Sequence, residues 1–324
     1  MHSSLVADIG GTNARFGLCS PVAATGPDLN ISHQASFHCS QFECLEEAVD
    51  TYLESVNFPE LSYASIAIAA PAFDDRISMT NLKWSFSRSE LQERLGLRKL
   101  EIINDAAAGA LATTCLPVSE LTPIRTGQIR RDHIRVNIVP GTGLGIAAAM
   151  PYENIWLPIQ GEGGHVGFAA AEDEDFEVFR LIAKEHGRVT PELVLSGPGM
   201  VNLYQALGHV RGFQVEDLSP EELTSRAIAS RDELCVQTVE KYCGLLASMA
   251  GDLVLQFGAH VGIFLSGKIL RILGADLLKK VFKKHLYSKV KIRDVVEHVP
   301  VQLVGLEFPG LLGAAVWLMH SVQP

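Results

Sequence analysis

An apolar stretch, Leu100-Glu101-Ile102-Ile103, runs straight into Asn104 and Asp105, and a small-residue segment, Ala106-Ala107-Ala108-Gly109-Ala110, follows at once. A strand that ends on a carboxylate and turns into a helix puts that carboxylate at the mouth of a sheet. Open α/β proteins do their chemistry there. Asp105 could then accept a proton from a bound hydroxyl. A residue that merely caps the helix suits the same junction, so these residues alone leave both readings open.

Two glycine turns have the chemistry of phosphate binding. The first is Asp8-Ile9-Gly10-Gly11-Thr12-Asn13. Glycines let backbone N–H groups approach an anion closely, Thr12 adds a hydroxyl, and Asp8 could hold a phosphate-bridging Mg²⁺ through water. The second is Gly141-Thr142-Gly143-Leu144-Gly145. Ile146 breaks the dinucleotide fingerprint, and Ile269 after Gly267-Lys268 breaks the P-loop pattern. Either turn alone also reads as a plain hairpin. Two of them, one in each half of the chain, suggest a nucleotide clamped between two lobes.

Gly161-Glu162-Gly163-Gly164-His165-Val166-Gly167 packs a carboxylate and an imidazole among four glycines. Glu-x-x-His can be half a metal site, but no second ligand pair is nearby, so hydrogen bonding ranks first. A carboxylate accepts from two neighbouring hydroxyls and a neutral imidazole donates or accepts, which suits a polyol. Glu192, in Thr190-Pro191-Glu192-Leu193, sits at a helix start, where a carboxylate is ordinarily a surface residue favoured by the helix dipole.

These residues need elements to hold them. Ser4–Asp8 and Ala14–Cys19 read as strands flanking the first turn, and Ile31–His38 as a third. Ser40-Gln41-Phe42-Glu43 has capping-box spacing before a helix with Phe42, Leu45, Val49, Tyr52, Leu53 and Val56 in phase. A strand over Ser65–Ala70 and a short helix opened by Ser87 and Glu90 precede the Asp105 junction. After Pro117 the plan restarts: Val136–Val139, the second glycine turn and Ile146–Ala149 form a weak internal duplication. Helices follow over Glu172–His186, from Ser219-Pro220-Glu221-Glu222, and over Asp232–Phe257. Val261–Leu265 and Val301–Leu306 are strands, and Pro309–Ser321 is a final helix.

The 324 residues suffice for two lobes. A net charge of −10 and the absence of any basic run beyond the Lys279-Lys280 and Lys283-Lys284 pairs argue against a nucleic-acid surface. No signal peptide or bilayer-spanning run is read. The six cysteines form no Cys-x-x-Cys pair, so buried free thiols in the cytoplasm are expected.

Together these stretches, with Met79-Thr80-Asn81, Leu195-Ser196-Gly197-Pro198-Gly199 and Pro309-Gly310-Leu311-Leu312-Gly313, resemble the bacterial ATP-dependent glucokinase family of the hexokinase/actin-like superfamily. The resemblance covers nearly the whole chain, and the order of the motifs is its most specific feature. It implies an α/β fold of two ribonuclease-H-like lobes, a mixed sheet in each and a cleft between them. The expected small lobe is 1–110 with 307–324 packing back on it, and the large lobe is 111–306.

The implied reaction is ATP-dependent phosphorylation of glucose at the 6-hydroxyl, with Asp105 as general base. Asn104, Glu162, His165 and Glu192 would hold the sugar. Asp8, Gly10, Gly11, Thr12 and Asn13 would form the first phosphate turn, with Asp8 near Mg²⁺. Gly141, Thr142 and Gly143 would form the second, and Ser266-Gly267 would approach the adenosine. The expected partners are glucose and ATP, with no nucleic acid and no membrane, in a homodimer. Two departures from the family pattern touch the nucleotide side: Pro140 removes an N–H donor before the second turn, and Lys268 stands where a second glycine is usual. They keep two alternatives in play, a non-catalytic sugar or nucleotide sensor and a kinase for another hexose.

Overall fold

The computed structural model describes residues 3–20, 29–79, 82–286 and 291–322. Thr80 and Asn81 of the Met79-Thr80-Asn81 stretch lie outside them. In chain order the elements are β1 (Ser3–Ile9), β2 (Asn13–Cys19), β3 (Ile31–His38), α1 (Leu45–Ser55), β4 (Leu61–Ile68), β5 (Arg76–Ser78), β6 (Ser85–Ser87), α2 (Arg88–Arg94), β7 (Lys99–Asn104) and α3 (Asp105–Ala112). Then come β8 (Leu121–Arg125), β9 (Arg135–Pro140), β10 (Leu144–Tyr152), β11 (Ile155–Ile159), α4 (Asp173–His186), α5 (Glu192–Leu195), α6 (Gly197–Arg211), α7 (Pro220–Ile228) and α8 (Glu233–Phe257). The chain closes with β12 (Gly262–Leu265), α9 (Lys268–His285), α10 (Arg293–Glu297), β13 (Val301–Val304) and α11 (Pro309–Val322).

By internal contacts the chain divides into two compact units, Met1–Val118 with Ala147–Gln160 and Leu306–Pro324, and Ser119–Ile146 with Gly161–Gly305. The fold is mixed α/β with two mixed sheets. The first unit's sheet has the order β3-β2-β1-β4-β7, with β1, β4 and β7 parallel and β2 antiparallel to both β1 and β3. Both faces are covered. Phe16, Tyr52, Ile66, Phe86 and Ile102 fill one core, beside α1. Val6, Ile103, Leu111, Leu311 and Leu318 fill the other, with α3 and α11. Parallel strands buried on both faces need such near-continuous apolar runs.

The last helix is tied to β7 by polar bonds as well. Trp317 Nε1 donates to Glu101 Oε2 at 3.2 Å, and Lys99 Nζ donates to the Ser321 carbonyl at 2.8 Å.

Residues 147–160, expected in the other lobe, group with this unit. Ala147 and Ala149 of β10 are buried with α3 and α11, and Trp156 of β11 packs on the same core. Their apolar pattern was visible, but it does not say which core they join. Residues 111–118, also expected beyond the boundary, complete α3 and its exit turn in this unit.

In the second unit β9, β12 and β13 are parallel and β8 pairs antiparallel with β13. Helix boundaries follow the local signals closely. Ser219 and Glu222 form a reciprocal capping box for α7, Asp232 caps α8 through Cys235 N–H at 3.0 Å, and Ser87 caps α2. One helix start differs. His38 and Gln41 bond reciprocally around a 3₁₀ turn over Cys39–Gln41, and α1 begins only at Leu45 after Cys44, so the Ser40–Glu43 spacing does not cap it.

Candidate functional site

In the first unit the register brings two of the expected stretches to one edge. Ile9 faces Ile68 and Ile68 faces Asn104 along parallel strands. The turn after β1 and the Asn104-Asp105 junction therefore leave the same end of the sheet, separated by β4 alone, a lateral distance of about 10 Å from two strand spacings.

Asn104 caps α3: its Oδ1 accepts Ala107 N–H at 3.2 Å. Asp105 is the first helical residue, and its Oδ1 accepts Ala106 N–H at 2.8 Å. The capping role open to Asp105 from sequence thus falls to its neighbour. The start of α3, with its positive dipole end, favours an anion at Asp105. With its carbonyl oxygen on the cap, Asn104 can offer a ligand its amide N–H groups.

The first glycine turn is closed by Gly10 N–H on the Asn13 carbonyl at 2.9 Å and buttressed by Cys39 N–H on the Thr12 carbonyl at 2.8 Å. Gly10 N–H is therefore spent inside the turn. A Cβ at Gly10 would meet only the Asn13 carbonyl, at an ordinary 3.7 Å. The chain's own packing does not demand glycine there, whereas a closely seated anion would.

Asp8 exposes 13 % of its side chain and bonds Arg15 Nη1 at 3.2 Å. Burial pushes its carboxyl upward and the Arg15 guanidinium opposes that. Gly310, in the first turn of α11, has no room for a side chain, because a Cβ would stand 2.5 Å from Asp8 Cγ. Among the described residues no group of three His, Cys, Asp or Glu could cage a metal. One carboxylate beside a phosphate turn suits a cation that keeps its waters and binds mainly through substrate phosphates, as Mg²⁺ does.

In the second unit Glu162, His165 and Glu192 come together. His165 Nδ1 lies 3.8 Å from Glu192 Oε1, and its Nε2 lies 3.9 Å from Glu162 Oε2. Glu162 and His165 are exposed, on a 3₁₀ turn over Gly163–His165, and Glu192 is partly buried at the start of α5. Glu192 is more than a surface carboxylate, since its Oε2 accepts Leu144 N–H at 2.9 Å and so holds the end of the second glycine turn. A Cβ at Gly143 would stand 2.6 Å from that oxygen.

The turn is closed by Gly141 N–H on the Gly143 carbonyl and tied to α6 by Gly197 N–H on the Gly141 carbonyl, both at 2.8 Å. Gly141, like Gly10, has room for a Cβ, with its nearest neighbour at 3.9 Å. Thr142 lies between the two glycines. Gly267 is required where it stands, at φ 110°, with a Cβ there only 2.7 Å from the Pro140 carbonyl oxygen. Ser266 next to it is buried and donates its hydroxyl to Asn137 Oδ1 at 2.7 Å, so that side chain serves the core. Lys268 is exposed on the first turn of α9.

Sequence reasoning assigned no role to Arg15, which bonds Asp8, or to Phe308, whose ring stacks on Arg15. Arg15 faces Asp8 in the strand register, and a two-residue offset across a tight turn was the one available signal. Phe308 comes from the far end of the chain, where nothing local points to Asp8.

A family model described as Glucokinase matches residues 5–321. A glucokinase of Saccharophagus degradans is 36% identical over 318 residues, 98% of each chain. The crystal structure of a glucokinase from an Antarctic psychrotroph superposes with a TM-score of 0.90 at 34% identity, covering 99% of each chain. A ROK family glucokinase from Streptomyces griseus, solved with glucose and AMPPNP, shares the fold at a TM-score of 0.64 and 17% identity, over 97% of this chain and 98% of its own. With a family match over almost its full length and relatives above 30% identity, this chain belongs to the glucokinase family.

Proposed function

We propose that the protein transfers the γ-phosphoryl group of ATP to the 6-hydroxyl of glucose, giving glucose 6-phosphate and ADP. The sugar oxygen attacks the γ-phosphorus and the bond to the β-phosphate oxygen breaks. Asp105 takes the hydroxyl proton. Phosphoryl transfer needs positioning and charge compensation more than covalent help. Asn104, Glu162, His165 and Glu192 hold the ring hydroxyls, whose paired donors and acceptors match a carboxylate, an amide and an imidazole.

The backbone of Gly11, Thr12 and Asn13 and that of Gly141, Thr142 and Gly143 bind the donor's phosphates, and Gly267 lets the adenosine approach the chain. Asp8 would hold Mg²⁺, which would supply charge neutralisation to the phosphates. The enzyme works in the cytoplasm as a homodimer.

The observation that supports this reading most is the division of labour at α3. Asn104 does the capping, and Asp105 stands beside it at the sheet edge that carries the first glycine turn. A panel of hexoses and nucleotides in a coupled assay tests it. ATP-dependent turnover with glucose is the expected result. Glucose binding without turnover would replace it with a sensor, and a preference for another hexose would change the acceptor.

A further inference from the structure

Asp8 and Arg15 are cross-strand partners on β1 and β2, one on each side of the first glycine turn. Arg15 donates to Asp8 Oδ2 from Nη1, and its guanidinium carbon stacks 4.1 Å from the centroid of Phe308. Its Nε is buried with no acceptor among the described residues. On the opposite side Asp8 is pressed against Gly310 in the first turn of α11. The carboxylate is thus bonded by a guanidinium that an aromatic ring backs, and it packs against a helix start.

A surface ion pair would need none of this. A buried N–H with no acceptor is a cost that folded proteins rarely carry, and such groups call for an explanation. Stacking on Phe308 and the bond to Asp8 restrict the guanidinium, and with it the Asp8 carboxylate beside the turn.

We infer that Arg15 is a positioning residue for the phosphate-donor side of the reaction, acting through Asp8: it holds the carboxylate between β2 and α11 so that it faces the cation-bound phosphates of a nucleoside triphosphate. The inference rests on the kinase reading above and deepens it. Arg15 touches no substrate in this scheme. The sugar side is independent of it.

The test is a double-mutant cycle of Asp8→Asn, Arg15→Met and the combination, with Arg15→Lys as the conservative variant. Calorimetry reads binding of a non-hydrolysable ATP analogue with Mg²⁺, and of glucose, separately. Arg15→Met is expected to weaken the analogue by about tenfold or more and to leave glucose within about twofold. The double variant is expected to bind the analogue no worse than Asp8→Asn alone, because the second change removes nothing further. Arg15→Lys, which keeps the charge and loses the stacked fork, falls between wild type and Arg15→Met.

Losses that multiply in the double variant would overturn the inference, as would equal weakening of both ligands by Arg15→Met. If Arg15→Met alone does not fold, the double variant removes both charges together and Arg15→Lys keeps the ion pair. An Arg15→Lys protein with wild-type affinity for the analogue then overturns it. Wild-type turnover is measured first, so failure of the kinase reading is seen separately.

Discussion

Glu192 Oε2 accepts the Leu144 backbone N–H at 2.9 Å while its Oε1 lies 3.8 Å from His165 Nδ1, so one carboxylate joins the second glycine turn to the His165 imidazole. Glu192→Gln keeps an acceptor for Leu144 and loses the charge. It should hold its thermal midpoint and raise the glucose KM. Glu192→Ala strands the N–H of a buried residue, at a cost of about 1–3 kcal/mol, and should lose both. Gly143→Ala places a methyl 2.6 Å from Glu192 Oε2, and should mimic the glucose defect with the carboxylate intact. Steady-state kinetics over a glucose series, beside thermal unfolding, separates the three. A Gly143→Ala protein with an unchanged KM would show that Glu192 need not stay on the turn.

Asp105→Asn removes the proposed proton acceptor and keeps the size and the bond from Ala106 N–H. General bases contribute about 10²–10⁴ in rate, so kcat should fall by that order while calorimetry still shows glucose binding. Full turnover in this variant would take Asp105 out of the mechanism.

The cap that Asn104 makes and the sugar contact proposed for it can be divided by one pair of variants. Asn104→Ala loses the cap to Ala107, at about 1 kcal/mol, together with the amide offered to the sugar. Asn104→Asp keeps a capping oxygen and loses the amide donors. Both should raise the glucose KM, and only the alanine variant should lower stability in urea. Equal stability of the two would mean that the cap contributes nothing.

The reason Asn104, Asp105 and the glycine turns could be read in advance is that each is a contiguous signal: a strand, a special residue, then a reversal of direction. The grouping of Glu162 with His165 was legible from their spacing. Glu192 was named only through the family resemblance, because its bond to Leu144 spans 48 positions and leaves no local trace. β8 was missed for a related reason. Its Leu-Thr-Pro-Ile-Arg has no strong alternation, and it is a strand because β13 offers an antiparallel edge. Proline is tolerated at such an edge position. The grip on Asp8 joins residues 8, 15, 308 and 310, and only the folding back of α11 assembles it.

Three histidines set an acid limit to stability. Burial lowers the proton affinity of His260, His285 and His320. Arg130 and His133 add to this at His260, and Lys284 adds to it at His285, where Glu172 opposes it. In the unfolded chain each titrates near the ordinary 6.5. Below that pH the unfolded state binds protons that the folded state resists, so stability is full above about 6.5 and is lost as pH falls toward the depressed folded values. Urea midpoints measured from pH 7.5 to 5.5 should decline, and His320→Gln should flatten the slope. A slope unchanged in that variant would exclude His320 as a contributor.

Lys241 is the centre of a partly buried charge cluster in the second unit, with 12 % of its side chain exposed and Asp175, exposed to 3 %, at 2.8 Å. Burial alone would lower its proton affinity, but Asp175 and Glu174 hold it above the ordinary lysine value, so the ammonium stays charged across the neutral range. Asp175 also accepts the Ala171 and Glu172 N–H groups at the start of α4. Lys241→Met leaves that carboxylate buried without its cation, and removing one partner of a buried pair costs about 3–5 kcal/mol. Adding Asp175→Asn removes the stranded charge and keeps an oxygen for the two N–H groups, so the double variant should recover much of the loss. Urea unfolding of the single and double variants checks this. A double variant no more stable than Lys241→Met would mean that Lys241 stabilises through its packed stem on α8 and not through Asp175.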